Sequence, residues 1–162
     1  MNSFVVSNTS PLILLFNLEL EYILKMLFKR IVVPEQVYNE ILLYTNKDRA
    51  SFELPKCDWI EVIKVDIQKE ILEWDLGLGE SAVISYALKN NNSIILIDDR
   101  LGKKCAEVYN IKAIGTARLL LLAKENKIIS EVRPLLEKIK EKGLWISNEI
   151  LYLILKKAGE YN

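Results

Sequence analysis

Histidine is absent from all 162 residues. Its absence removes the commonest general base, the Ser-His-Asp and Cys-His nucleophilic arrangements, and nearly every catalytic zinc site. Cysteine is scarce: Cys57 and Cys105 stand alone, far from any C-x-x-C spacing, which argues against a zinc ribbon and a disulfide framework and leaves them as small core fillers. No G-x-x-x-x-G-K or G-x-G-x-x-G phosphate loop occurs. Excess charge is missing as well, since 22 basic residues balance 22 acidic ones. Any site for a polyanion must therefore be a local patch. The longest uncharged apolar stretch, Pro11 to Leu18, is far short of the ~20 residues a membrane span requires, and the N-terminus has no basic region followed by a separable apolar core. The expectation is a soluble, cytoplasmic protein.

What remains is carboxylate chemistry on a hydrophobic chain. About half of the residues are hydrophobic, 51%, enough for one sizeable core. With no Gly- or Ser-rich linker, repeat or low-complexity segment, a single domain over residues 1–162 is expected.

Short apolar runs alternate with helical patterns. Phe4 to Ser7 reads as a first strand; Asn8-Thr9-Ser10-Pro11 supplies helix-start chemistry, with Ser10 as N-cap and Pro11 at the first helical position. A helical pattern follows from Leu12 to Phe28, interrupted near Asn17. Ile31 to Val33 is a strand, Glu35 to Tyr44 a helix, and Thr45 to Ser51 a polar surface loop or lid. Trp59 to Val65 suits an edge strand, Asp66 to Trp74 a short amphipathic helix, and Ser93 to Ile97 a buried parallel strand. Leu101 to Tyr109 is helical, Ile111 to Ile114 a strand, and Gly115-Thr116 starts another helix. Ser130 to Lys142 and Asn148 to Lys157 form two more. This order predicts an α/β fold with three α/β/α layers, a central parallel sheet of four to five short strands and right-handed crossovers. The last helix has no polar face across Ile150 to Leu155, so it should be buried on more than one side, by core or by a subunit interface.

Four distant regions place oxygen-bearing side chains at strand ends or on inward helix faces. Asn8 ends the first strand, and Asp98-Asp99 end the fourth, where open α/β sheets bind ligands. Glu40 falls near Val37 and Tyr44 on its helix. At ~100° per residue, Glu80 shares a sector with Val83, Ile84, Ala87 and Leu88, opposite Ser81, Ser85 and Lys89. Each has a plain structural alternative: Glu80 in a first helical turn is favoured by the helix dipole, Asp98 or Asp99 can cap the helix after it, and Asn8 and Thr9 can cap theirs. Convergence is the economical explanation of all four. Three or more carboxylates in one place require a neutralising cation, and an all-oxygen set suits Mg²⁺ or Mn²⁺. Such an ion supports phosphodiester hydrolysis without histidine.

The blocks V-V-S-N-T-S-P-L-I, V-P-E-Q-V-Y-N-E-I, G-L-G-E-S-A-V-I-S-Y-A and I-I-L-I-D-D-R, in this order and spacing, resemble the PIN domain, the PilT N-terminus-like family of metal-dependent nucleases. The later blocks I-G-T-A-R-L-L-L-L-A-K-E-N-K-I-I and K-K-A-G-E are similar to a poorly characterised prokaryotic branch with a helical tail. The resemblance implies a Mg²⁺- or Mn²⁺-dependent endoribonuclease acting on single-stranded or tRNA-like RNA. In this family such an enzyme is frequently a homodimeric toxin paired with a type II antitoxin protein. The family's first aspartate falls on Asn8, its helix glutamate on Glu40, its second-half acid on Glu80 and its strand-end aspartate on Asp99, with Asp98 an extra neighbour. Thr9 and Ser10 match the hydroxyl residues after the first acid and are candidates for substrate binding. Asn8 is the departure: its amide oxygen can bind a metal but carries no charge, so metal binding and water activation should weaken, and the alternative is a PIN-like RNA- or protein-binding regulatory module. Arg100, Lys103 and Lys104 follow the Asp pair and are candidate phosphate contacts, with solvated helix charge as the plain alternative. Trp59 and Trp74 are candidates for base stacking, with core or rim packing as the plainer role.

Overall fold

The computed structural model describes residues 4–44 and 48–162; Thr45 to Lys47, the first part of the expected lid, lie outside the described residues. The chain forms two compact units, Met1–Ile114 and Gly115–Asn162.

The first unit is built on five parallel strands in the order β3-β2-β1-β4-β5: β1 (Phe4–Ser7), β2 (Ile31–Pro34), β3 (Ile60–Ile63), β4 (Ser93–Leu96) and β5 (Ala113–Ile114). With its flanking helices this is the expected three-layer α/β/α fold. Strand β1 lies in the middle, pairing Val5 with Ile31 on one side and Ile94 on the other. Val5, Val6, Val32, Val33, Ile95 and Leu96 are wholly buried, as a sheet covered on both faces demands of β-branched and leucyl side chains. The edge strand β3 exposes Glu61 and Val62, and Glu61 forms a bidentate pair with Arg30 at 2.6 and 2.7 Å.

Helices α1 (Thr9–Asn17), α2 (Tyr22–Leu27), α3 (Glu35–Tyr44), α4 (Arg49–Glu53), α5 (Lys69–Leu72), α6 (Leu78–Lys89) and α7 (Arg100–Val108) connect the strands. Four expectations are corrected here. The first helix starts at Thr9, so Asn8 and not Ser10 stands at its N-cap. The pattern from Leu12 to Phe28 is two helices, because Asn17 turns its side chain outward to α4: Nδ2 donates to Asp48 at 3.1 Å and Oδ1 accepts from the Ala50 amide at 3.1 Å. Residues Arg49 to Ser51 are therefore helical and not a loop, with Asp48 capping the Ser51 amide at 3.0 Å. The helix expected from Asp66 shortens to Lys69–Leu72.

Helix α6 departs most from its pattern. Ser81 and Ser85 are buried along with Ala82, Val83 and Ile84, so the side expected to face solvent is covered. Ser85 Oγ accepts from the Gln68 amide at 3.0 Å, which satisfies the hydroxyl that burial would otherwise strand. Helix α6 touches α3, α5, α7, β1, β2 and β4, and small serines permit that close approach on both flanks.

The second unit holds α8 (Thr116–Glu125), α9 (Arg133–Glu141) and α10 (Asn148–Ala158). Glu160 ties it together from beyond the C-terminus of α10. Its carboxylate accepts from Lys124 Nζ at 2.6 Å and from the amides of Val132 and Arg133 at 2.8 and 2.7 Å. The last two are donors at the start of α9 that have no partner within the helix. Helix α10 packs on α8, yet only Ile154 and Leu155 of its apolar run are buried; Ile150, Tyr152 and Leu153 are exposed. Of the two expectations for this helix, burial by the core accounts for Ile154 and Leu155 alone.

Burial pushes the Glu160 carboxyl up, but the Lys124 ammonium and the two backbone amides outweigh it, and its pKa is held below the ordinary 4.5. A depressed carboxyl stabilises the fold above its unfolded pKa, and that stabilisation disappears as pH falls through the folded value. Glu160→Gln should cost about 2–3 kcal/mol at neutral pH. Urea denaturation of both proteins from pH 7 downward should show the gap narrowing below about pH 4.5.

Candidate functional site

The strand order reverses between β1 and β4, since β1 leads outward to β2 and β3 while β4 leads to β5. Such a switch point leaves a crevice at the carboxyl ends of the two strands. Asn8 follows β1 there, its amide donating to the Leu96 carbonyl at 2.9 Å, and Asp98 follows Ile97 at the end of β4.

Asn8 occupies the N-cap position of α1 with extended backbone angles (φ −80°, ψ 172°), but its side chain makes no cap hydrogen bond. It reaches instead to α6, where Nδ2 donates to Glu80 Oε1 at 2.9 Å. The residue is 1% exposed, and Oδ1 is buried without a hydrogen-bond partner among the described residues. An N-cap asparagine ordinarily satisfies its own helix. This one leaves its helix uncapped and holds a carboxylate 72 residues away.

Glu40 arrives from α3. Its Oε2 accepts from the Thr9 hydroxyl and its Oε1 from the Gly79 amide at 2.9 Å, a free first-turn donor of α6 where the helix dipole favours negative charge. Gly79 makes this approach possible: a Cβ there would lie 2.8 and 3.0 Å from the two Glu40 oxygens and 3.1 Å from Asn8 Oδ1. Glu40 and the unpartnered Asn8 oxygen therefore border one small space. A Cβ at Gly77 would overlap Glu80 Oε2 in the same way.

The aspartates divide. Asp99 is exposed and caps α7, accepting from the Gly102 amide at 2.6 Å; Asp98 is half-buried. Among the described residues no three acidic, cysteine or histidine side chains form a group that could hold a metal ion. Two carboxylates and one carboxamide converge at Asn8, and Asp99 is turned to its own helix. Arg100, Lys103 and Lys104 are exposed on the first turns of α7, Ser10 is exposed, and Trp59 and Trp74 are half-buried. A cleft of about 310 Å³ opens at the opposite ends of the strands, beside Ser93, Tyr109 and Lys112; it contains none of these oxygens.

Sequence reasoning missed the positioning contacts. The Thr9 hydroxyl, a candidate for substrate on sequence, also holds Glu40. The Gly79 amide went unnoticed, although glycine at both 77 and 79 before Glu80 was the available signal that something approaches the backbone closely.

Gly79→Ala should displace Glu40 and Asn8 together and destabilise the protein by about 1–3 kcal/mol. Chemical denaturation measures the loss, and a variant as stable as the wild type would show that the space is larger than these distances imply.

The whole arrangement lies within a segment matched by a family model described as a PIN domain, which covers residues 4–160. No curated protein matches the chain.

Proposed function

Because the chain belongs to the PIN domain family, whose members are generally nucleases and typically use divalent metal ions, we propose that it is a Mg²⁺- or Mn²⁺-dependent endoribonuclease that hydrolyses single-stranded RNA in the cytoplasm. The observation that carries this reading is the buried, unpartnered oxygen of Asn8 beside Glu40 and Glu80 at the sheet's switch point. A buried polar atom without a partner costs free energy, and a hard cation is the partner that an amide oxygen between two carboxylates suits.

Asn8, Glu40 and Glu80 would hold the ion, with Asp98 and Asp99 contributing from the end of β4. Such an ion, when bound, polarises a phosphoryl oxygen and lowers the pKa of water. The protein's own part is positioning. Thr9 and the Gly79 amide fix both oxygens of Glu40, and Asn8 fixes one oxygen of Glu80. Arg100, Lys103 and Lys104 lie just after the aspartates and supply a local basic patch for phosphates in a chain of zero net charge. Ser10, exposed beside Thr9, is available to the same strand of RNA. In this family such an enzyme fits the toxin of a type II toxin–antitoxin pair, which predicts an antitoxin that suppresses cleavage.

A second reading has its own observation. Asn8 is uncharged and its amide already occupies one Glu80 oxygen, which weakens any ion site and favours a regulatory module that binds RNA or protein without turnover.

Calorimetry with Mn²⁺, with Glu80→Gln as control, followed by cleavage of an unstructured RNA in the same buffer, separates the two. For the nuclease, the wild type binds the ion and cleaves, and Glu80→Gln loses ion binding and roughly a hundredfold of the rate. Asp99→Asn should abolish cleavage with the fold intact, since asparagine caps a helix as well as aspartate. RNA binding without cleavage in Mn²⁺, together with activity gained in Asn8→Asp, would establish the regulatory module instead.

A further inference from the structure

The cleft at the amino ends of β4 and β5 has no part in the carboxylate site, and its walls are built differently. It holds about 310 Å³ between the last turn of α6, the turn into β4 and the turn from α7 into β5. That volume is at the lower end of the range in which proteins bind small molecules. Leu88 and Ile111 give the cleft apolar walls, and Asn91, Tyr109, Asn110 and Lys112 bring polar ends to it.

The fold makes no use of those polar ends. Asn90 Nδ2 donates to the Tyr86 carbonyl at 2.8 Å and Ser93 Oγ to the Asn90 carbonyl at 2.7 Å, so the turn between α6 and β4 is held without the Asn91 side chain. Asn110 adopts φ 56° and ends α7 through its backbone: its amide donates to the Glu107 carbonyl at 3.0 Å, and the Ile111 amide to the Ala106 carbonyl at 2.8 Å. A left-handed asparagine after a helix is ordinary, and that role leaves its carboxamide over. The Lys112 carbonyl accepts from the Ile95 amide at 2.9 Å, which fixes its backbone to β4. Among the described residues, no hydrogen bond or ion pair engages the side chains of Asn91, Tyr109, Asn110 or Lys112.

Charge around the cleft is of one sign. Residues 81–97 and 108–114, which include every lining residue, hold Lys89 and Lys112 and no acid, in a chain that has 22 acids. Glu107, the acid nearest to them in sequence, is exposed on α7 and does not line the cleft. Donors and a cation without a carboxylate select an anion. The Tyr109 ring, with Leu88 and Ile111, suits a flat apolar body, and carboxamides, which both donate and accept, suit the edge of a heterocycle. We propose that this cleft binds a nucleoside monophosphate, with the phosphate at Lys112, the base against Tyr109 and the edge of the base at Asn91 and Asn110. The length of β4, four residues at ~3.3 Å each, separates Ser93 from the crevice at Asn8. The nucleotide is therefore a ligand in its own right and not the strand of RNA at the carboxylates.

Two-dimensional amide NMR of the full, isotopically labelled chain, titrated with AMP and separately with UMP in buffer containing EDTA, tests this. With at least one nucleotide the amide shifts should saturate and concentrate in residues 87–93 and 109–112. Lys112→Ala, at an exposed position, should weaken nucleotide binding about tenfold and leave binding of the parent nucleoside, which lacks the phosphate, unchanged. Tyr109→Leu should weaken nucleotide and nucleoside alike, about tenfold, and the dispersion of its spectrum shows whether it is folded. Shifts that stay linear with concentration for both nucleotides, or that appear only around Thr9, Gly79 and Glu80, would overturn the proposal. Nucleotide affinity that survives Lys112→Ala, or inorganic phosphate bound as tightly as the nucleotide, would overturn it too. Preference for indole-3-acetate over both nucleotides would replace it with an aromatic carboxylate site. EDTA removes divalent metal from every titration, so these outcomes stand apart from the nuclease reading.

Discussion

Parallel pairing of β1 with a neighbour on each side is the constraint on which the first unit depends. A strand paired on both edges and covered on both faces has no solvent-facing side, so it can be made only of residues like Val5 and Val6, and each parallel neighbour has to be reached by a crossover. The crossovers are the helices. Because the connections leave β1 for β2 and return by way of β3 to β4 on the other side, the carboxyl ends of β1 and β4 open onto a crevice beyond the Asn8–Leu96 backbone bond. Polar chemistry in such a fold has few other buried places to be.

The site at that crevice is organised around burying negative charge. Two glutamates on different helices are brought close to one asparagine, and the protein offsets their repulsion with the N-terminus of α6, the Thr9 hydroxyl and the Asn8 amide. A neutral residue at position 8 adds no further repulsion to the pair. Asn8 gives its side-chain amide to Glu80 instead of to its own helix, and α1 goes without a side-chain cap as a result.

The second unit is held by a different device. Glu160 closes the start of α9 and anchors Lys124, so the tail block K-K-A-G-E is a structural latch in which Gly159, in the left-handed region at φ 71°, lets the chain turn back after α10. Ile150 and Leu153 of α10 stay exposed beside it.

Strand and helix alternation, the parallel sheet and the identity of Asn8, Glu40 and Glu80 as inward oxygens were determined by the sequence alone, because the period of apolar residues and the chemistry of a polar residue on an apolar face are local properties. Tertiary structure decided what locality cannot contain. Which hydroxyl holds Glu40, why Ser81 and Ser85 lie inside, and which side of α10 is covered all depend on contacts between residues well separated in the chain. A side chain with two possible partners goes to the one that packing brings within hydrogen-bonding distance, and only the assembled fold sets that distance.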